Sequence, residues 1–261
     1  NASPTIPDSY ETLTATGIDE DVVSSSNGGQ LISALFTNSF ADIDKYSGGS
    51  EAFAGIAVVT DGSTSAQGTW QYYDGSDWND IGSVSSSSAL MLGASTKLRF
   101  NPAEHYNGAP GALTARVVDT DGGLTFTTSV SRETFNVSAA ATTDGVSSDS
   151  AVISIAVAAV QDDPVVVVAN GASEIGVNKP VSFDFSSYFR EVDTDAFSYT
   201  VTDAPAGLTI DTATGVLSGS VARSGDYILT VEATSDGVSG SETVSATYVL
   251  TVKKPVIAAP S

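Results

Sequence analysis

Asp-x-Asp occurs at Asp42/Asp44, Asp119/Asp121 and Asp193/Asp195, and two adjacent carboxylates stand at Asp162-Asp163. On a strand, residues i and i+2 project to the same side. In a loop, the same pair wraps a point from two directions. Either arrangement brings anionic oxygens together. That is unfavourable for an empty site and favourable for Ca²⁺, which takes about six to eight oxygens at roughly 2.3–2.6 Å. Turn chemistry is the competing account, because Asp and Gly make turns without an ion. The charge balance favours metal: 31 Asp plus Glu stand against 10 Lys plus Arg, a net charge of −21. Few basic side chains are available to neutralise the pairs.

The same charge argues against nucleic acid and anionic membranes as partners, since both select basic surfaces. With no cysteine, disulfides, thiolate metal sites and thiol catalysis are excluded. No apolar run approaches the length of a membrane span. His105 is the one histidine, in a loop beside Glu104 and Tyr106, with no nucleophile fixed near it. Neither a Gly-x-Ser-x-Gly elbow nor a phosphate-binding Gly-x-x-x-x-Gly-Lys loop occurs. No enzymatic activity is expected. Asn136-Val-Ser138 fits a glycosylation acceptor but lies in a strand-like run.

The elements that must position the acids read as strands. Val, Thr, Ser and Gly dominate, and alternating runs are punctuated by Gly and Asp, which argues for antiparallel sheet. Gly55-Ile-Ala-Val-Val59 reads as a buried strand. Gly68-Thr-Trp70-Gln-Tyr72-Tyr73, Asp74-Gly75-Ser76-Asp77 and Trp78-Asn-Asp-Ile81 read as a hairpin. Gln30 to Phe36 fits a strand or a short helix. Ala151 to Ala158 and Val165 to Ala169 flank Gln161-Asp162-Asp163-Pro164, a stiff junction because proline fixes its own φ and extends the residue before it. A weak repeat supports a cut there: Thr143-Asp144-Gly-Val-Ser147 and Ser235-Asp236-Gly-Val-Ser239 each precede a final strand. The expectation is an all-β chain of two tandem Greek-key β-sandwich domains, 1–162 and 163–254. Residues 255–261 read as a linker to a further domain, and the start at Asn1 without Met reads as a piece of a longer protein.

Loops of a sandwich alternate between its two ends. Asp193, Asp195 and Asp236 are therefore expected where the chain enters the second domain, beside Asp162 and Asp163. Glu20, Asp119 and Asp121 are expected where it leaves the first. Asp42, Asp44 and Asp144 would form a second metal cluster at the opposite end of the first domain.

Two stretches resemble known families. Ala204-Pro-Ala-Gly-Leu208-Thr-Ile-Asp211-Thr-Ala-Thr-Gly215-Val-Leu-Ser-Gly219, followed by Gly225-Asp-Tyr227, is similar to the dystroglycan-type cadherin-like domain. Gly68-Thr-Trp70-Gln-Tyr72, Trp78-Asn-Asp-Ile81-Gly, Leu98-Arg-Phe-Asn-Pro102, Tyr106-Asn-Gly108 and Val160-Gln-Asp-Asp-Pro164 resemble modules of giant bacterial repeats-in-toxin (RTX) adhesins. The resemblance implies Ca²⁺ between domains, carried by Glu20, Asp119, Asp121, Asp162, Asp163, Asp193, Asp195 and Asp236. The Asn-Asp-Asn ending of the full cadherin linker is absent. The resemblance also implies secretion or display on a bacterial cell surface, and a calcium-stiffened spacer or ligand-presenting role in cell adhesion, with neighbouring domains as partners. The alternative is a ligand-binding module, in which Tyr73, Asp74 and Asp77 meet a peptide or glycan. Trp70 and Trp78 are expected in the core.

Overall fold

The computed structural model describes residues 3–42, 52–120, 122–138, 145–193, 195–237 and 240–254. Contacts divide the chain into two units, Asn1–Ala159 and Val160–Ser261. The regular structure of each is almost entirely strand, as the alternating runs predict.

In the first unit, six strands form one sheet in the order Thr12–Thr14, Ala151–Ser154, Leu113–Asp119, Phe53–Asp61, Ala89–Gly93, Thr134–Phe135. Four more form the second, in the order Gln30–Leu31, Lys97–Pro102, Gly68–Tyr73, Trp78–Asp80. The core lies between them. Ile56, Val58, Leu90, Leu92, Leu113, Ala115 and Val117 from the first sheet meet Trp70, Tyr72, Leu98 and Phe100 from the second. The opposite residues of the same central strands, Ala57, Val59, Ala89, Met91 and Val118, are buried as well, under Val137, Val146, Leu124 and Phe126. Cover on both faces explains why Ile56-Ala-Val-Val59 is continuously apolar rather than alternating. The Gln30 to Phe36 segment does both things allowed by its pattern: Gln30–Leu31 pairs with the Lys97–Pro102 strand, and Ile32–Leu35 makes a helical turn.

In the second unit, one sheet has the order Asn170–Gly176, Gly240–Lys253, Gly225–Gly237, Phe197–Thr202. A three-stranded sheet, Pro180–Asp184, Val216–Ser220, Leu208–Ile210, faces the same core. Tyr199, Leu229, Val231, Ala233, Tyr248 and Leu250 pack there with Phe185, Leu208 and Leu217. Two glycines of the dystroglycan-like run have a structural cause. Gly207 and Gly219 hold positive φ of 101° and 133°. A Cβ on Gly219 would strike the carbonyl of Gly207, and one on Gly207 would strike the carbonyl of Ser220. The first and last strands of the four-stranded sheet, Asn170–Gly176 and Gly240–Lys253, pair in parallel over seven residues. In the first unit Thr12–Thr14 likewise pairs in parallel with Ala151–Ser154. No helix among the described residues is long and apolar enough to cross a membrane.

Candidate metal centre

Within the second unit, the short strand Phe189–Arg190 pairs with Val165–Val166. The chain then turns through Glu191, Asp193 and Asp195 before the strand Phe197–Thr202 begins. One carboxylate oxygen from each of the three lies within 4.8 Å of the other two. All three side chains are half-buried. Among the described residues none forms an ion pair with Lys or Arg. At an effective dielectric of about 20, each such pair of charges repels by roughly 3–4 kcal/mol before solvent screening reduces it.

Hydrogen bonds fix half of this group and leave half of it open. Glu191 Oε1 accepts from the backbone N–H of Val192 at 3.2 Å and of Asp193 at 3.3 Å. Asp193 Oδ2 accepts from the backbone N–H of Asp162 at 2.6 Å and from Gln161 Nε2 at 3.2 Å. The remaining oxygens, Glu191 Oε2 and Asp193 Oδ1, are fully buried and have no hydrogen-bond partner. Buried acceptors of this kind are rare and costly unless something satisfies them.

Gly237 closes the group from the last turn of the Gly225–Gly237 strand. A Cβ there would collide with Gln161 Oε1 and with Asp195 Oδ2, so those two oxygens are neighbours over its Cα. Ser235 lies two residues earlier on the same inward face. It is completely buried, and its Oγ has no hydrogen-bond partner. The donor set is all oxygen: three carboxylates and a carboxamide. It suits a hard cation such as Ca²⁺ rather than a metal that selects imidazole or thiolate.

The sequence-derived candidates fall as follows. Asp193 and Asp195 come together, and the backbone of Asp162 joins them. Asp163 is exposed. Asp236 is exposed on the face opposite Ser235 and Gly237, and its Oδ1 accepts from the Ser241 hydroxyl, so it does not join the group. In the first unit Glu20, Asp42 and Asp119 are buried. Glu20 Oε2 accepts from Asn107 Nδ2 at 3.1 Å, and Asp119 Oδ1 from the Gly122 N–H at 3.1 Å. Asp44, Asp121 and Asp144 lie outside the described residues. Glu191 and Gln161 were not singled out from the sequence. The i, i+2, i+4 spacing of Glu191, Asp193 and Asp195 is the signal that marks the first of them.

On the hairpin, Asp74 works as a turn staple. Its Oδ1 accepts from the N–H groups of Ser76 and Asp77, both at 2.8 Å, and its Oδ2 from Asn79 Nδ2 at 2.8 Å. The Asp77 and Ser76 amides hold its carboxyl below the usual value. Asp77 is exposed, and Tyr73 packs its ring 5.4 Å from Trp78. Trp70 is buried as expected, whereas Trp78 is only half-buried, with the Arg99 guanidinium 4.1 Å above its ring.

No curated protein sequence matches this chain. Residues 163–253 match the family described as "Putative Ig domain". Among solved structures, human protocadherin-24 EC1-2 is 11% identical over 98% of this chain and 100% of that one, with a TM-score of 0.48. Drosophila N-cadherin EC1-3 is 12% identical over 97% and 68%, with a TM-score of 0.32. A Bacteroides fragilis protein described as a "putative alpha-galactosidase" is 19% identical over 36% of this chain, with a TM-score of 0.29, and the match spans 18% of that protein. With the family match on its sequence and two facing sheets around its core, the second unit is an Ig-like β-sandwich.

Proposed function

We propose that this chain is a calcium-stabilised, non-catalytic segment of a large extracellular bacterial adhesin, serving as a rigid spacer or ligand-presenting module. The Glu191–Asp193–Asp195 group carries the reading: three unneutralised carboxylates converge, and two of their oxygens are buried without a partner. A bound Ca²⁺ would cancel the repulsion and satisfy those oxygens, with Gln161 Oε1 as a neutral donor. Mg²⁺ fits less well, because it demands near-octahedral geometry and gives up its water reluctantly. Gln161 and Asp162 begin the second unit, so the ion would fasten its first residues to the loop after Phe189–Arg190. The bacterial adhesin setting is supported by the motif resemblance, and the extracellular setting by the Ig-like fold.

Thermal unfolding in EDTA, millimolar Ca²⁺ and millimolar Mg²⁺ tests this. An ion that binds only the folded state raises stability by about 2.7 kcal/mol at a hundred times its Kd. A Ca²⁺-specific rise is expected, and identical unfolding in all three would remove the calcium reading.

A further inference from the structure

Among the described residues, one sheet edge is both long and open. The outer strands of the first unit run only two or three residues: Thr12–Thr14, Thr134–Phe135, Gln30–Leu31 and Trp78–Asp80. In the second unit, Leu208–Ile210 has three residues and Pro180–Asp184 begins at a proline. On Phe197–Thr202, the Tyr199 N–H is taken by the Thr212 carbonyl at 2.8 Å. Shortness, proline and cover are the usual defences of an edge against pairing with another chain. Asn170–Gly176 has none of them. It runs for seven residues without proline or a break in register.

Odd-numbered residues of this stretch turn their backbone groups toward Gly240–Lys253. The Thr247 N–H donates to the Ala169 carbonyl and the Val177 N–H to the Lys253 carbonyl, both at 2.9 Å. The N–H and C=O groups of Asn170, Ala172 and Glu174 therefore point away from the sheet. None of these groups makes a hydrogen bond among the described residues. The side chains of the same three residues lie on the outer face, where the register sets them in rows. Ala172, Val249 and Ile228 stand side by side across three strands, all exposed, Ile228 at 63%. The neighbouring rows are polar: Asn170, Thr247 and Thr230 on one side, Glu174, Thr251 and Asp226 on the other. An apolar row thus reaches the open edge at Ala172.

We propose that a second copy of this chain adds its own Asn170–Gly176 strand to this edge, antiparallel, about a two-fold axis at Ala172. Antiparallel strands exchange hydrogen bonds between residues whose backbone groups face each other. Ala172 then meets its counterpart, and Asn170 meets Glu174 of the partner subunit at each end. This register joins the two apolar rows end to end and sets a carboxamide opposite each carboxylate. An axis at Glu174 would instead oppose two like charges, which destabilises a cross-strand pair. On the inner face Gly171 meets Ser173 of the partner subunit, and both are small. The contact is isologous, so it closes at two copies instead of growing into a fibre. It is also small, and the expected Kd is on the order of 100 μM.

Sedimentation equilibrium of the whole chain from about 10 μM to about 1 mM tests this. No residue of the Glu191–Asp193–Asp195 group lies on the strand, so a monomer–dimer equilibrium is expected in EDTA and in Ca²⁺ alike. Ala172→Pro removes an N–H that bonds nothing within the chain, at an edge position where proline is tolerated. It should keep the melting temperature of the parent and weaken association by about tenfold or more. Ala172→Cys gives a chain without cysteine a single thiol, one strand spacing from its counterpart. A short bis-maleimide should capture it as a covalent dimer. Ile228→Cys, in the same row but about 24 Å from its counterpart across five strand spacings, should escape capture. Undiminished association of folded Ala172→Pro, or equal capture of the two cysteine variants, would overturn the proposal. A chain that stays monomeric up to about 1 mM would also overturn it, leaving the edge to a strand of another protein.

Discussion

The backbone amide of Asp162 donates to Asp193 Oδ2 at 2.6 Å, while Oδ1 of the same carboxylate is buried with no partner. One side chain thus holds the start of the second unit in place and aims its other oxygen, with Glu191 and Asp195, at a common point. Asparagine at position 193 can still accept from Asp162 but carries no charge. In EDTA, Asp193→Asn should raise the stability of the second unit by about 1 kcal/mol, the repulsion left after screening. That corresponds to a melting temperature higher by roughly 4–8 °C for a unit this size. In Ca²⁺ the order should reverse. Calorimetry in both buffers checks it, and a variant less stable than the parent in both would mean that the three charges do not strain the loop.

Gly237→Ala places a methyl group where Gln161 Oε1 and Asp195 Oδ2 now lie. Both are ends of side chains able to move aside, so folding should survive. Calcium affinity should fall by about tenfold, or 1.4 kcal/mol. Isothermal titration of the folded variant with Ca²⁺ measures this; unaltered affinity would separate Gln161 and Asp195 from the ion.

Gly219→Ala should be far more damaging. The residue has a positive φ of 133°, and the new Cβ meets a backbone carbonyl that cannot swing away. A loss of about 2 kcal/mol or more is expected from combined conformational strain and overlap. Urea unfolding followed by the near-ultraviolet signal of the second unit reads it directly.

Three aspartates at turns set an acid limit. Asp74 accepts from the Asp77 and Ser76 amides, Asp211 from those of Thr214 and Ala213, and Asp184 from Ser186; each is held below its ordinary pKa by these bonds. A depressed folded-state pKa means stability that is complete above the unfolded value of about 3.9 and is lost as pH falls through the folded value. The melting temperature should therefore decline below about pH 4, and Asp211→Asn should flatten part of that decline. Carboxyl chemical shifts followed against pH should show all three titrating below the ordinary aspartate value of about 3.9.

The strands were legible in the sequence because β-branched residues alternate, and the Asp193/Asp195 pair because its spacing is local. What escaped depends on contacts distant in sequence. Gln161 reaches Asp193 across 32 residues, and its role appears only once the strand of Gly237 has folded against it. Asp236 looked equivalent to its acidic neighbours, yet strand alternation turns it outward to Ser241. Trp78, expected in the core, is only half-buried and stacks beneath Arg99.

In each unit the first strand of the main sheet runs parallel to the last. Tension applied to the start of Asn170–Gly176 and the end of Gly240–Lys253 would pull the two strands past each other lengthwise. The hydrogen bonds along that seam would share the load at once instead of peeling apart singly. The second unit, with seven paired residues on this seam against three for Thr12–Thr14 on Ala151–Ser154, is built to withstand the greater pulling force.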